Sequence, residues 1–183
     1  VMINLSASPF DYTHDEDRKA AVKANVTKYH LPMFYCNAIG SQTEIVFDGT
    51  SLVFDRHANL VGKLPSFAEA LEIFEWNEDG SITGPILEPA DRIRDNEYNP
   101  VLFDPNINIQ LVYEALILGI RDYFSKMGFR QAILGSSGGI DSAVTLALAV
   151  DALGAENVMA VLMPSPYSTD HSVNDAVELS RNL

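Results

Sequence analysis

The chain has 183 residues, a formal net charge of -13, a pI near 4.5 and a mean hydropathy of +0.04. That charge excludes a nucleic-acid backbone as partner, since both surfaces would carry the same sign, and requires any phosphate ligand to be held by local geometry and a cation. A single cysteine excludes an internal disulfide framework and a cysteine-based zinc site. With no apolar run of membrane-spanning length, no leader pattern and no repeat, the expectation is a soluble, cytoplasmic protein of one domain or two modest ones, with no membrane partner.

Val1 to Leu5 reads as a buried strand, and Pro9 forces the turn that follows Ser6-Ala7-Ser8. Asp15 to Tyr29 reads as an amphipathic helix, with Ala20, Ala21, Ala24 and Val26 among charged residues and Pro32 marking its end. Three strands are expected next. Met33 to Ala38 is apolar, and Glu44 to Phe47 leads through an Asp48-Gly49 turn into Ser51 to Asp55, a hairpin signal. Arg56 to Asn59 is a second polar turn before Leu60 to Lys63. One helix with about three antiparallel strands makes an α+β or layered unit. The chain opens inside a strand and closes inside a helix begun near His171, with neither end capped, so an internal stretch of a longer protein is expected.

Beyond Trp76 the composition shifts. Asn77-Glu78-Asp79-Gly80 is a polar hairpin turn, and Gly84 to Pro105 is a proline- and charge-rich connection in which Asp91, Arg92, Arg94, Asp95 and Glu97 read as solvated surface. Ile107 to Met127 places Ile109, Val112, Leu116, Ile120 and Phe124 on one face of a helix that ends at Gly128. Ala132-Ile133-Leu134 has no polar alternation, as in a strand buried on both faces, and Ala143 to Leu153 is built from helix formers. After a turn at Gly154 to Asn157, Val158 to Met163 is a second continuous apolar strand. Strand, helix and strand form a βαβ unit with parallel strands. Ligands of such sheets sit beyond the carboxyl ends of the strands, where Gly135 to Ser142 and Pro164 to His171 both fall.

The first of these loops carries the chemistry. Gly135, Gly138 and Gly139 permit positive φ and remove Cβ atoms, so successive backbone N–H groups can converge on an anion with the N-terminus of the following helix behind them. Ser136, Ser137 and Ser142 add hydroxyl donors around Ile140. Asp141 would repel a polyphosphate unless a Mg²⁺ bridged the two, which makes it a candidate metal ligand. The same residues also describe a tight turn with Asp141 as helix N-cap. The loop lacks the lysine of a Walker A motif and the spacing of a dinucleotide fingerprint. Ser-Gly-Gly-Ile-Asp-Ser at 137–142 resembles the pyrophosphate loop of the ATP pyrophosphatases, which cleave ATP between the α and β phosphates and adenylate a carboxyl or carbonyl oxygen.

A second resemblance lies upstream. Asn-Leu-Ser-Ala-Ser-Pro-Phe at 4–10, Tyr-Cys-Asn-Ala-Ile-Gly at 35–40 and Phe-Asp-Gly-Thr-Ser at 47–51 are similar to the C-terminal half of the nitrilase fold, and most of all to the glutaminase domain of the glutamine-hydrolysing NAD synthetase family. Met-Pro-Ser-Pro-Tyr-Ser at 163–168 is similar to the loop that follows the second strand in that family, placing Ser165, Tyr167, Ser168 and His171 near the site. The resemblance implies a nitrilase-type α/β/β/α sandwich over 1–76, a linker over 77–106, and the first βαβ of a Rossmann-like adenine-nucleotide sheet over 107–183.

It also implies the reaction: deamido-NAD is adenylated by ATP with release of pyrophosphate, and ammonia from glutamine displaces AMP to give NAD. Gly135 to Ser142 would bind ATP, Asp141 would bind Mg²⁺, and Ser8 would bind glutamine. His14 stands where the family carries a Lys or Arg that contacts glutamine. Glutamine, deamido-NAD and ATP are the expected substrates, and the family forms homo-oligomers. The family's Glu, Lys and Cys catalytic residues would precede Val1, so no catalytic residue is expected in this stretch and it would be inactive alone. Cys36 is not the nucleophile: it lies within an apolar strand without an adjacent base, as a buried structural cysteine does. The alternatives are another ATP-pyrophosphatase amidotransferase, such as a GMP synthetase relative, a non-catalytic adenine-nucleotide-binding module, or a nitrilase-like amidase with an unrelated extension.

Overall fold

A computed structural model describes residues 1–85, 105–164 and 170–183, except for the side chains of 105–107, 170 and 171. The chain divides into two compact units, Val1–Ala115 and Leu116–Leu183.

The first unit is built on a four-stranded sheet. Its strands are β1 (Met2–Ser6), β2 (Met33–Asn37), β5 (Leu52–Phe54) and β6 (Leu60–Lys63), in the order β1-β2-β5-β6. β1 runs parallel to β2, while β5 is antiparallel to both β2 and β6. Parallel neighbours need a crossover, and helix α1 (His14–Tyr29) supplies it. α1 ends at His30, whose left-handed φ of 53° closes the last turn with its N–H on Val26 O.

Val22 and Val26 of α1 pack on Met33 and Tyr35 of β2 and Leu52 and Phe54 of β5, alternate strand residues that share one face. On the opposite face Phe34 meets Phe74 edge to face at 6.1 Å, and the Phe74 ring occupies the space that a Cβ on Gly62 or Gly84 would need. Two small antiparallel pairs complete the unit: β3 (Ile39–Gln42) with β4 (Ile45–Asp48), and β7 (Glu75–Trp76) with β8 (Ile82–Thr83) around the expected Asn77–Gly80 turn.

Two expectations are corrected here. The Asp48-Gly49 step is not a hairpin turn, because β4 pairs back on β3 and β5 joins the other sheet. The hairpin turns at Thr43, with φ 57°, whereas Gly49 (φ 73°) and Thr50 (φ 50°) carry the chain between sheets while Asp48 is held by buried partners. Val1 to Leu5 is a strand, but it forms the sheet edge, leaving Ile3 71% and Leu5 80% exposed.

In the second unit, β9 (Ala132–Ser136) and β10 (Val158–Leu162) are parallel, with Leu162 opposite Ser136, and are joined by α3 (Ile140–Leu153) and a short 3₁₀ turn over Ala155–Asn157. α2 (Pro105–Met127), which enters this unit at Leu116, precedes them and ends at Gly128 (φ 72°); α4 (Asp170–Asn182) follows. The Arg121 guanidinium donates to the carbonyls of Ala152 and Asp151 at 3.1 Å, tying α2 to the C-terminus of α3.

Periodicity misassigns part of α2: Ile109 and Leu116 of the expected apolar face are exposed, whereas Asn108, Ala115 and Ile117 are buried. β9 is not covered on both faces either. α3 packs on the side of Leu134, and Ile133 and its register partner Met159 on the other side are 74% and 59% exposed. The connection at 86–104, including the charged residues from Asp91 to Glu97, lies outside the described residues.

Candidate functional site

The loop after β9 reaches its shape through its own serines and glycines. Gly138 adopts φ 81°, and a Cβ there would collide with the backbone carbonyl of Ser172 at the start of α4. The position thus needs glycine twice, for its dihedral and for the approach of a neighbouring backbone. Ser142 Oγ donates to Gly139 O at 2.9 Å and accepts from the Ser137 amide at 3.3 Å, while the Gly139 amide donates to Ser137 Oγ at 3.3 Å. The N-cap of α3 is Gly139, in extended conformation and without a side-chain cap, so Asp141 is not the cap; it lies in the first turn, exposed. The amides of Ile140, Asp141 and Ser142 have no intrahelical acceptor by helix geometry and open towards solvent.

Beneath the loop a cavity of about 100 Å³ lies between Ser136, Ser137, Leu162, Met163, Ser172 and Ala176, at the carboxyl ends of both strands. The Ser136 hydroxyl faces this region buried and, among the described residues, without a hydrogen-bond partner. A buried donor left open marks room for a polar ligand atom. The structure therefore brings Ser136, Ser137, Gly138, Gly139, Asp141 and Ser142 around one helix N-terminus, whose macrodipole favours an anion. Ser165, Tyr167, Ser168 and the His171 side chain lie outside the described residues.

For a hard cation, Asp141 supplies one exposed carboxylate beside this cradle, and among the described residues no group of three or more His, Cys, Asp or Glu side chains gathers as a metal cage. That donor set fits a Mg²⁺ sharing its shell with phosphate oxygens, which needs only one or two protein carboxylates, and not an all-protein site.

In the first unit, Ser8 and His14 line one cavity of about 350 Å³, together with Asn4, Asp17, Arg18 and Asn25. The turn between β1 and α1 is shaped by Asp11, whose carboxylate accepts from the Thr13 amide at 2.8 Å and hydroxyl at 2.6 Å; these bonds hold its pKa below the ordinary value. His14 Nδ1 lies 3.0 Å from Pro9 O. Ser8 is gripped through its backbone by the Asn37 carboxamide, which accepts from Ser8 N–H at 2.8 Å and donates to Ser8 O at 3.4 Å. Behind Asn37, Asp48 receives a bidentate pair of bonds from Arg18, both 2.9 Å, and a third from Thr50 at 2.7 Å. Burial lowers the Arg18 pKa, but the Asp48 hydrogen bonds and charge outweigh it and leave the guanidinium above its ordinary value.

Sequence reasoning missed Arg18, Asn37 and Asp48 as parts of this site. The available signal was a charge at 18 on the stripe of Val22 and Val26, spaced four apart. Cys36 also needs correction. It is exposed, on the outer face of β2 beside a cavity of about 300 Å³ whose lining includes Phe34, Leu71 and Phe74, because the alternation that buries Tyr35 and Asn37 turns residue 36 outward. Among the described residues lining this cavity there is no lysine or histidine, and Glu72 is the one acid.

Residues 112–183 match the family model described as NAD synthase. The whole chain is 37% identical to a glutamine-dependent NAD(+) synthetase of Synechocystis and 34% identical to that of Thermotoga maritima, covering 30% and 35% of those proteins. It superimposes over its full length on the structure of glutamine-dependent NAD+ synthetase from Acinetobacter baumannii in complex with adenosine diphosphate, with a TM-score of 0.81, 36% identity and 32% of that chain covered. A glutamine-dependent NAD(+) synthetase structure from Cytophaga hutchinsonii, at 16% identity and a TM-score of 0.70, shares the fold. The chain spans about a third of the length of the relatives it matches. On these matches the chain is similar to glutamine-dependent NAD(+) synthetases, and its residues 112–183 resemble the NAD synthase family model.

Proposed function

We propose that this chain is a stretch of an enzyme that amidates deamido-NAD to NAD with ATP, using ammonia released from glutamine in a companion domain. The observation that carries the proposal is the cradle at Ser136 to Ser142: a buried hydroxyl with no partner among the described residues, a glycine whose Cβ would meet backbone, and helix amides converging at the carboxyl ends of two parallel strands. Its similarity to NAD synthase over 112–183 supports the choice of acceptor, and no observation favours a GMP synthetase relative or a non-catalytic module.

In this reading, residues 1–76 complete a nitrilase-type sandwich, 77–106 link it to the second domain, and 107–183 open a Rossmann-like sheet. The assembled enzyme is a cytoplasmic homo-oligomer. The amides of Gly138, Gly139 and the first turn of α3, with Ser137 and Ser142, bind the β and γ phosphates of ATP. As the bond to the α phosphate breaks, negative charge grows on the departing oxygens, and these preorganised donors stabilise it. Ser137 and Ser142 exchange their mutual hydrogen bonds for bonds to phosphate. Asp141 would hold a Mg²⁺, and the bound ion would supply charge neutralisation at the pyrophosphate. Ser8 and His14 contact glutamine, whose hydrolysis is carried out by residues outside this stretch.

In the full-length enzyme, Asp141→Ala is expected to abolish NAD formation from free ammonia while glutaminase turnover continues. Unchanged ammonia-dependent synthesis would rule out the metal role.

A further inference from the structure

Two motifs of the first unit, Tyr-Cys-Asn-Ala-Ile-Gly at 35–40 and Phe-Asp-Gly-Thr-Ser at 47–51, have no role in the chemistry above. The structure joins them. Asn37, at the end of β2, is 6% exposed, and its amide and carboxamide bond to Ser8, Asp48 and Ser51. Its backbone N–H donates to Ser51 Oγ at 3.0 Å, its carboxamide nitrogen reaches Asp48 Oδ1 at 3.5 Å and Ser8 O at 3.4 Å, and its carboxamide oxygen accepts the Ser8 amide at 2.8 Å. Asp48 is in turn fixed by Arg18 of α1 and by Thr50, whose hydroxyl also meets Ser66 at 2.7 Å. One end of this buried network is anchored in α1 and two sheets; the other end is the peptide unit of Ser8, in the turn that leaves β1.

We propose that Asn37 is a positioning residue for glutamine binding: its carboxamide, oriented by the Arg18–Asp48 pair, sets where Ser8 stands in the cavity it shares with His14. The inference rests on the reading of Ser8 as a glutamine contact. The turn through Pro9 is fixed on its far side by the Phe10 amide, which donates to Val46 O at 2.7 Å, and the two bonds from Asn37 hold it at Ser8, its end nearest β1. Asn is required because one group must accept from an N–H and donate to a carbonyl of the same residue. Asp would lose the donor and face Asp48 with like charge, and Leu would leave both Ser8 groups unpaired.

The test uses the full-length enzyme, with glutamine-dependent and ammonia-dependent synthesis measured side by side. Ser8→Ala tests the underlying reading, and Asn37→Ala and Ser51→Ala test the inference. Ser51→Ala removes only the acceptor of the Asn37 amide, so it remains informative if Asn37→Ala does not fold. Losing two hydrogen bonds predicts a rise in KM for glutamine of about tenfold for Asn37→Ala and about threefold for Ser51→Ala, with kcat nearly unchanged and ammonia-dependent synthesis intact. If Ser8→Ala leaves the glutamine KM unchanged, the reading of Ser8 is wrong and the inference falls with it. If Ser8→Ala raises KM while the folded Asn37 and Ser51 variants do not, the reading stands and the positioning role is overturned. A loss of kcat with KM unchanged in those two variants overturns it as well.

Discussion

Gly138→Ala isolates what the loop after β9 demands of its backbone. At φ 81° an alanine is in the left-handed region, which costs about 1–2 kcal/mol. Its Cβ would also overlap the carbonyl of Ser172, a main-chain atom that cannot swing aside as a side chain would. The loop or the first turn of α4 must then give way by about 1 Å, and misplacement of that size costs roughly a hundredfold in rate. Gly128→Ala is the matched control: at φ 72° it carries the same dihedral strain, but a Cβ there meets nothing within 4 Å. Made in the full-length enzyme, Gly128→Ala is expected to lose about 1–2 kcal/mol in thermal unfolding, and Gly138→Ala more because of the added overlap. Only Gly138→Ala is expected to lose about a hundredfold in kcat/KM for ATP in ammonia-dependent NAD formation, with Gly128→Ala within about threefold of wild type. Wild-type-like turnover by Gly138→Ala, or an equal loss in both, would refute the claim that the close approach to Ser172 shapes the site.

Asp48→Ala leaves the Arg18 guanidinium buried without its counterion and is expected to destabilise the first unit by about 3–5 kcal/mol, whereas the double variant Arg18→Met, Asp48→Leu should lose much less. Denaturant unfolding of both checks this. The Asp15 carboxyl is raised by burial but lowered more by Lys63 and Lys19, so its folded pKa lies below the ordinary 3.8. An acid depressed in the folded state stabilises above its unfolded pKa and loses that stabilisation as pH falls through the folded value. The difference in melting temperature between wild type and Asp15→Asn should therefore be constant from pH 7 to about 5 and shrink below pH 3.8.

The elements that local chemistry dictates were readable in the chain. Gly128 and His30 end helices where the backbone turns left-handed, and Asp55 folds the Arg56–Asn59 turn by accepting from the amides of His57 and Asn59. The βαβ over 132–162 followed from two apolar runs and a helix between them. Partner choice was not readable. Nothing local to Asp48-Gly49 distinguishes a hairpin turn from a step between sheets; the decision is made by Arg18, thirty positions away. Cys36 was taken for a core residue because its strand is apolar throughout, and a continuous run conceals which face is covered. At the loop after β9 the glycines announced an anion site, yet the constraint on Gly138 comes from Ser172, a neighbour that no spacing rule supplies.

The network of Arg18, Asn37, Asp48, Thr50 and Ser51 also bears on how this sequence can drift. Its members come from α1, β2, β4 and the step into β5, and losing Arg18, Asp48, Asn37 or Ser51 strands a buried charge or an amide. Such a set is exchanged as a block or not at all over evolutionary time. Val22, Leu52 and Phe54, a few ångströms away, trade methyl groups with their neighbours one at a time. The slowest-changing positions of this unit are thus expected to be buried polar ones such as Asn37 and Asp48, and a reader ranking residues by constancy would mistake their architecture for catalysis.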